Sequence, residues 1–213
     1  MRSFFQEVWA KVGGETPRED PVFSLTEKGK GESECLVVGG MGFAQRKAIR
    51  RLYSMTFAMA KKDVVLTVPY FVPPRRMLNR IKETCASGVK VELLVPGTSD
   101  VWIADWIREG LYSWLQDAGV TIREYKGSVL HAKSMVADDR LAVVGSANFD
   151  LLSIALNWEL SVVIVDPVVV EQLRKQYEID LKQSEEVPPD WEHRRPWLRH
   201  LLGFVGASVL RKL

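Results

Sequence analysis

The sequence has few of the residues that metal centres and redox sites use. It contains two cysteines, Cys35 and Cys85, and three histidines. The two cysteines lie far apart and have no partner at the spacing of a metal motif, so we expect no metal and no other cofactor. We interpret both as reduced thiols of the core, as in a protein of a reducing compartment.

Long apolar runs and a strong charge of one sign are also missing. No run approaches the ~20 apolar residues that span a bilayer, and the first residues, MRSFFQEVWAKVGGE, contain no apolar signal-peptide region. The net charge is only +2, from 29 Lys and Arg against 27 Asp and Glu. Proteins that bind duplex nucleic acid usually have a stronger basic bias, so nucleic acid is not expected as a partner.

What the sequence does contain is enough apolar residues for a sizeable core. The chain has 213 residues, of which 46% are hydrophobic, which suits one domain of moderate size. Segments rich in β-formers alternate with helical patterns, and this predicts an α/β fold with a mixed sheet sandwiched between helices. We expect this domain over 32–183, with a helix and linker at 1–31 and an acidic, proline-containing linker followed by a basic amphipathic tail at 184–213.

Two predicted helices carry features with more than one interpretation. A helix that begins after Ser99 or Asp100 and ends at Ala118 has an apolar stripe of Ile103, Ile107, Leu111 and Leu115. Its tryptophans, Trp102, Trp106 and Trp114, are expected in the core or in a groove wall, and the alternative is a passage for acyl chains. On the helix predicted over 44–61, a basic cluster is either a solvated face or a patch for anionic lipid headgroups; it consists of Arg46, Lys47, Arg50 and Arg51.

Both ends of the chain have helical stripes. At the start, Phe4, Phe5, Val8, Trp9 and Val12 share one face, which could dock on a partner, on the domain itself or on lipid. At the other end, aromatic residues, cations and an apolar stripe predict a helix that lies in a membrane interface, with a helix packed on the domain as the alternative. Its expected membrane contacts are Trp191, Arg194, Arg195, Trp197, Leu201 and Phe204.

The most informative stretch is a predicted hairpin. The run LHAKSMVAD is rich in β-formers, and DDR separates it from a second apolar run, LAVV. Residues two apart on a strand share a face, so His131 and Lys133 should emerge together. Ser146 and Asn148 have the same spacing where the second strand ends. An imidazole, an ammonium, a hydroxyl and an amide around one small space would suit a phosphate oxyanion.

These residues resemble the signature of the phospholipase D superfamily. His131, Lys133, Asp138, Gly145 and Ser146 stand at the family spacing, and Asn148 follows two residues after the serine. Further segments are similar to bacterial cardiolipin synthases, above all to their second half: PYFVPP at 69–74, SGVKVELLVPGTSD at 87–100, AGVTIREY at 118–125 and GSANFDLLSIALNWE at 145–159.

The resemblance implies roles for individual residues. His131 would form a covalent phosphohistidine or protonate the leaving alcohol. Glu159 lies where the family places an acid that orients the histidine, and Lys133, Ser146 and Asn148 would stabilise the phosphoryl oxygens. A structural role is expected for Asp138 and for Gly145, and substrate contact for Tyr70.

One departure from the family limits what the resemblance implies. The family's active site needs two histidines, and only His131 of this chain lies in a motif. We therefore expect a phosphatidyltransferase half that needs a second chain, either a copy of itself or a separate first half. The substrate would be phosphatidylglycerol or another phosphatidyl donor, at the cytoplasmic face of the cell membrane. The alternatives are a homodimeric phosphodiesterase or nuclease, and an inactive half-enzyme fragment.

Overall fold

A central sheet of eight strands organises the part of the chain that the computed structural model describes, which is 33–40, 42–150 and 159–191 with the single residues 10, 11, 13, 153 and 157. The order across the sheet is β1-β9-β7-β6-β2-β4-β5-β10, and a two-stranded pair, β3 with β8, lies beside it. Strands β2, β4 and β5 are parallel, and the other pairs of the main sheet are antiparallel. The strands are β1 (Cys35–Gly40), β2 (Asp63–Thr67), β3 (Phe71–Val72), β4 (Lys90–Pro96), β5 (Val120–Tyr125), β6 (Ser134–Ala137), β7 (Leu141–Gly145), β8 (Phe149–Asp150), β9 (Glu159–Ile164) and β10 (Ser184–Glu186).

Helices cover both faces of this sheet, as the sequence predicted. Side chains of α1, α2 and α4 pack into the large core on one face. On the other face, Tyr177 of α5 packs against Val65 and Leu94, and Val170 packs against Val136 and Ala142. The helices are α1 (Gly42–Met59), α2 (Arg75–Ala86), α3 (Trp102–Glu109), α4 (Tyr112–Asp117) and α5 (Pro167–Leu181). Among the described residues, no helix combines the length and the apolar character needed to cross a membrane.

Local signals in the sequence explain where two of these helices begin or end. Asp166 caps α5, because its carboxylate accepts the backbone N–H groups of Val168 and Val169 at 2.8 and 3.3 Å. Gly88 follows the last residues of α2 with φ of +88°, the left-handed conformation that glycine adopts at no steric cost. An aspartate before a proline and a glycine after a helix are the residue types that favour these two positions.

Several predictions about the edges of the domain were wrong. Cys35 is exposed and Cys85 is half-buried, so Cys35 is no core residue. It begins β1, an edge strand whose Leu36 is 63% exposed. Residues 184–186, expected in a linker, form β10 on β5, and Val187 behind them is buried. Pairing with an open sheet edge satisfies the backbone of an acidic segment that has no apolar pattern.

The helix expected up to Ala118 is two helices, and the first has an inverted pattern. Leu111 and Leu115 are buried as predicted, but Ile103 of α3 is 51% exposed. The buried side chains of α3 are polar, namely Asp105, Arg108 and Glu109. Apolar periodicity misplaced this face because the charges that it buries pair with one another and with polar groups of α4 and β5.

Arg108 is the centre of this buried polar network. Its guanidinium pairs with Asp105 at 2.9 Å, and its Nε donates to the Tyr112 hydroxyl at 2.9 Å. That hydroxyl donates to Glu124 at 3.0 Å, and Lys126 pairs with the same carboxylate at 2.8 Å. The network joins α3 and α4 to β5.

The segments predicted at the chain ends lie almost wholly outside the described residues. Of the stripe at the start, only the neighbouring residues 10 and 11 are described, and they are helical. Of the tail, only Trp191 is described. Arg194, Arg195, Trp197, Leu201 and Phe204 lie outside the described part of the chain.

The β6–β7 hairpin forms as predicted, and Asp138 ties its turn to the rest of the sheet. Ser134 lies opposite Val144, and Ala137 lies opposite Leu141. Asp138 follows with φ of +55°, and its carboxylate accepts the backbone N–H groups of Lys61, Lys62 and Asp63 at 2.8, 2.7 and 3.1 Å. Partial burial acts to raise the pKa of Asp138, but these N–H groups outweigh it and hold the pKa below its usual value.

Replacing Arg108 should lower the free energy of unfolding of the protein. In Arg108→Leu, buried Asp105 loses its cationic partner and the buried Tyr112 hydroxyl loses its donor, so we expect a loss of about 3–5 kcal/mol in the free energy of unfolding. Urea unfolding followed by circular dichroism measures it. The matched control is Arg140→Leu, at an exposed position, where the change should stay within about 0.5 kcal/mol. Equal stability of the two variants would show that the network does not stabilise the fold.

Asp138→Asn should destabilise the protein at neutral pH but not in acid. Asparagine tolerates the left-handed conformation, so the change isolates the charge that the three N–H groups bind, worth about 1–3 kcal/mol. Because the folded pKa is lowered, this stability is present above the unfolded pKa of about 3.9 and is lost as the pH falls through the folded pKa.

The measurement for Asp138 is urea unfolding of both proteins between pH 7 and pH 3. The difference between wild type and Asp138→Asn should shrink below pH 4. Asp117→Asn, at the exposed end of α4, is the matched control and should give no difference at any of these pH values. A difference for Asp138→Asn that stays constant with pH would contradict the assigned charge effect.

Candidate active site

Four strand ends meet at one edge of the sheet, and the motif residues lie there. Strand β6 begins at this edge, β7 ends at it, and β9 begins at it with Glu159 opposite Gly40 of β1. The edge is therefore built from segments that lie far apart in sequence. It is the opposite end of the hairpin from Asp138.

His131 and Lys133 precede β6 in the structure, and the strand begins one residue later than the lysine. The prediction that both side chains emerge from a regular strand was therefore wrong at this point. The lysine backbone is still held in register, because its carbonyl accepts the N–H of Gly145 at 3.2 Å. The Lys133 ammonium turns back and donates to the His131 carbonyl at 2.9 Å.

Gly145 allows the end of β7 to lie unusually close to β9. A Cβ atom at this position would be 2.4 Å from the carbonyl oxygen of Leu160 and 2.6 Å from the hydroxyl of Ser161. Contacts that short are forbidden, and backbone atoms cannot move aside as a flexible side chain can. Only glycine therefore fits here.

Ser146 uses this close approach to bind β9 with both its backbone and its side chain. Its N–H donates to the carbonyl of Leu160 at 2.9 Å, and its hydroxyl oxygen accepts the N–H of Leu160 at 3.0 Å. The hydroxyl itself donates to the carboxylate of Glu159. Glu159 is 7% exposed, so this hydrogen bond satisfies a charge that lies almost out of reach of water.

A second carboxylate, Asp150 on β8, faces the same space. It accepts the N–H of Ser153 at 2.6 Å and is hydrogen-bonded by the Asn148 side chain. Burial raises the pKa of Asp150, and these hydrogen bonds oppose the shift. The side-chain carbonyl oxygen of Asn148 is buried and has no hydrogen-bond partner among the described residues. Asp150 was not predicted as a site residue, although it lies only two residues beyond Asn148.

Lys133 lies close enough to Glu159 and Asp150 to interact with the charges of both carboxylates. Burial lowers the pKa of Lys133, and the negative charges of Glu159 and Asp150 act against that shift. Burial also raises the pKa of Tyr53, and the charge of Glu159 adds to the effect. The structure thus brings Lys133, Ser146, Asn148 and Glu159 together around one half-buried polar space.

His131 lies at the exposed border of this space, beside an aromatic residue. The ring of Tyr70 meets the imidazole edge-to-face, with centroids 6.2 Å apart and an interplanar angle of 82°. The Tyr70 hydroxyl donates to Asp100 at 2.5 Å. This hydrogen bond lowers the pKa of Asp100 and raises that of Tyr70 to about 12. Among the described residues, no hydrogen bond joins His131 to Glu159.

A helix was expected to begin after Ser99 or Asp100, and in the structure the Asp100 side chain does not cap that helix. The N-cap of α3 is Val101, which has no side-chain cap. Asp100 instead fixes Tyr70 against His131 across thirty residues of sequence. The nearest sequence signal was its place in the segment that resembles cardiolipin synthases.

Trp191 contacts protein where a membrane contact was predicted. It is half-buried, and its ring lies 6.0 Å from that of Tyr112 in the core.

The described residues contain no group of three or more His, Cys, Asp or Glu side chains that could hold a metal ion.

The exposed apolar face of α3 follows directly after Asp100. Val101, Trp102 and Ile103 are between 42% and 57% exposed. Trp102 and Trp106 pack edge-to-face with centroids 4.6 Å apart. Trp102 is therefore no core residue, and its place in a groove wall or beside a passage for acyl chains stays a prediction.

Solved structures with the same fold include members of one superfamily. A phospholipase D family member, Nuc from Salmonella typhimurium, superposes with a TM-score of 0.59 at 20% identity, over 73% of this chain and 98% of that chain. Phosphatidylserine synthase from Haemophilus influenzae superposes with a TM-score of 0.62 at 16% identity, over 83% of this chain and 46% of that one. At such identities the likeness establishes the fold.

Sequence similarity to curated proteins is closer. The chain is 31% identical to cardiolipin synthase 1 of Bacillus anthracis over 88% of its own length and 38% of that protein. It is 30% identical to cardiolipin synthase A of Proteus mirabilis over 91% of its length and 40% of that protein. The chain therefore spans about two fifths of the curated relatives it matches.

The family described as "Cardiolipin synthase, PLD-like domain" matches residues 53–181. These residues make up more than half of the chain and run from Tyr53 of α1 to the end of α5. They include the hairpin, the Gly145–Ser146 contact with β9 and Glu159. The chain belongs to this phospholipase D-like family of cardiolipin synthase domains.

Proposed function

We propose that this chain supplies one half of a phosphatidyltransferase active site that acts on phospholipid phosphodiesters. The observation that carries the proposal is the polar space in which Lys133, Ser146, Asn148 and Glu159 converge beside His131. The names of the relatives, cardiolipin synthases, support a phosphatidyl group as the moiety transferred. Phosphatidylglycerol is the proposed donor and acceptor.

The proposed reaction has two displacements at phosphorus. A histidine nitrogen attacks the phosphorus of the donor, the bond to the departing glycerol oxygen breaks, and a general acid protonates that oxygen. The hydroxyl of a second lipid then attacks the phosphohistidine, loses its proton to the same acid–base group and releases the first histidine. No oxidant or reductant is consumed.

The surrounding side chains would stabilise the charge that develops on the phosphoryl oxygens. Lys133 offers a cation whose pKa is already lowered by burial, and Asn148 and Ser146 offer neutral donors. Glu159 would orient the imidazole of His131 and stabilise its positive charge. The structure without substrate pairs Glu159 with Ser146, and catalytic hydrogen bonds often tighten only in the complex.

A second chain is proposed because the chemistry uses two histidines. His193 and His200, the other two histidines, have no lysine two residues on. A partner with its own His-x-Lys pair, a copy across a two-fold axis or a separate first half, would provide the missing acid or nucleophile. In a homodimer the two His131 side chains would face each other near the axis.

The exposed face of α3 favours a lipid over a water-soluble substrate. Tryptophan is enriched at membrane interfaces, where its ring contacts the apolar phase and its N–H faces water. An apolar face of Val101, Trp102 and Ile103 next to the site would receive acyl chains and keep the protein at a membrane surface, proposed to be the cytoplasmic face. The alternative is a homodimeric phosphodiesterase or nuclease that uses the same site with water. Nuc, a phospholipase D family member, is covered over 98% of its own chain, so a protein of this family can consist of little more than one such domain.

His131→Asn should reduce turnover by at least about 10²-fold, because the described residues around the site include no second imidazole. Glu159→Gln should reduce kcat severely while the thermal unfolding midpoint stays near that of wild type. The assay is formation of cardiolipin from phosphatidylglycerol in mixed micelles, in whichever assembly is active. His193→Asn is the matched control and should keep full activity. Full activity of His131→Asn on both lipid and nucleic-acid substrates would refute the assignment.

The assembly is tested by mixing wild type with His131→Asn. In a homodimer that needs both histidines, an equal mixture should retain about one quarter of the activity, since only one dimer in four is fully wild type. Retention of one half would show that each chain works alone and would contradict the proposal. A chain inactive at every concentration that gains activity when a first-half protein is added would identify the partner as the separate half.

A further inference from the structure

Four arginines from two helices line one cleft on the surface away from the sheet. Arg50 and Arg51 come from α1, and Arg76 and Arg80 come from α2. The cleft has a volume of about 330 Å³. The neutral polar side chains Ser54 and Asn79 also line it, with Met77 and Glu83. We call this site the arginine cleft.

The charge of the arginine cleft is largely uncompensated. Arg80 pairs with Glu83 at 2.7 Å and donates its Nε to the Ser54 hydroxyl at 3.3 Å. In the described part of the chain, Arg50, Arg51 and Arg76 have no acidic partner. Four guanidinium groups against one carboxylate leave a formal charge of +3 in a single concave site.

The placement of these arginines opposes the preferences of the helices that carry them. Arg75 and Arg76 occupy the first turn of α2, which contains no acidic residue, although the positive end of a helix dipole favours acids. On α1, Lys47 stands three and four residues before Arg50 and Arg51, and like charges at these spacings repel. An anion in the cleft would relieve both repulsions at once.

The chemistry of the lining fits a phosphoryl group. Guanidinium groups bind phosphate oxygens in a bidentate manner that lysine cannot reproduce. Ser54 and Asn79 add a hydroxyl and an amide that can complete the hydrogen bonds of the remaining oxygens. A volume of about 330 Å³ leaves room for a phosphate with its immediate ester substituents.

The cleft is separate from the His131 site but close to the same edge of the molecule. Helix α2 begins three residues after Val72, and Val72 is paired with Asp150 of the active site. We propose that the arginine cleft binds a phosphoryl anion outside the catalytic site, whose source is an anionic phospholipid headgroup or a soluble phosphate compound.

Two double variants of the full chain test the proposal. Arg50→Gln with Arg76→Gln removes two charges from the cleft, and Arg50→Lys with Arg76→Lys keeps the charge but removes the bidentate geometry. The control, Lys90→Gln with Lys182→Gln, removes two charges from exposed positions elsewhere. Thermal unfolding should show that all three remain folded.

The first arm measures flotation with vesicles of phosphatidylglycerol in phosphatidylcholine, against vesicles of phosphatidylcholine alone. If a headgroup is the source, the glutamine double variant should bind the anionic vesicles about 10-fold more weakly or worse, and the control should lose about 2-fold or less. The lysine double variant should also bind more weakly than wild type. It keeps the charge, so its loss would come from the missing bidentate hydrogen bonds alone.

The second arm measures the binding of inorganic phosphate and of glycerol 3-phosphate by calorimetry. If a soluble compound is the source, the glutamine variant should lose this binding while vesicle flotation stays unchanged. The proposal would be overturned if the glutamine and control variants lost the same amount of binding and the lysine variant bound like wild type in both arms. The arginine cleft would then be a solvated basic face. The cleft variants leave His131, Lys133 and Glu159 unchanged, and both arms measure binding rather than turnover, so this inference stands or falls separately from the proposed function.

Discussion

The close approach of β7 to β9 at Gly145 is the constraint on which the candidate site depends. No other residue fits there, because a Cβ atom would meet the Leu160 carbonyl at 2.4 Å. At this separation Ser146 binds Leu160 through both its backbone and its hydroxyl, and the same hydroxyl reaches Glu159. One glycine thus fixes the end of the hairpin and also satisfies a buried acid. A larger residue would separate the strands and leave that acid without its partner.

The sequence predicted those features whose causes are local. The hairpin followed from two runs of apolar and β-forming residues on either side of a polar turn. The Gly145–Ser146 pair could be located from the motif, but its reason could not, because the atoms that exclude a side chain belong to β9. The same holds for Asp138, whose three N–H donors come from the start of β2.

Most features that sequence patterns missed depend on contacts between different elements. Arg108 is buried because Asp105 on the preceding turn, Tyr112 on α4 and, through Tyr112, Glu124 on β5 surround its charge, whereas a helical pattern of apolar residues assigns such a face to solvent. Asp100 escaped as a site residue because its partner, Tyr70, lies on another segment. Cys35 looked like a core residue because an edge strand and a central strand can have the same apolar composition, and only the sheet order distinguishes them.

The electrostatics of the site bear on whether one chain can hold a phosphodiester. Around His131 the described residues contribute the carboxylates of Asp100, Asp150 and Glu159, against the single ammonium of Lys133. The hydrogen bond from Tyr70 lowers the pKa of Asp100 and so favours its charged form, whereas burial raises the pKa of Asp150 and so favours its neutral form. Even with Asp150 neutral, the carboxylates match or exceed the cations, and a phosphodiester adds a further negative charge in a half-buried space where water screens poorly. A lysine from a partner chain would offset part of this charge at the point where the substrate phosphate sits, although a copy of this chain would bring the same carboxylates with it. The case for a second chain therefore rests on the acid–base chemistry, which uses two histidines at one phosphate.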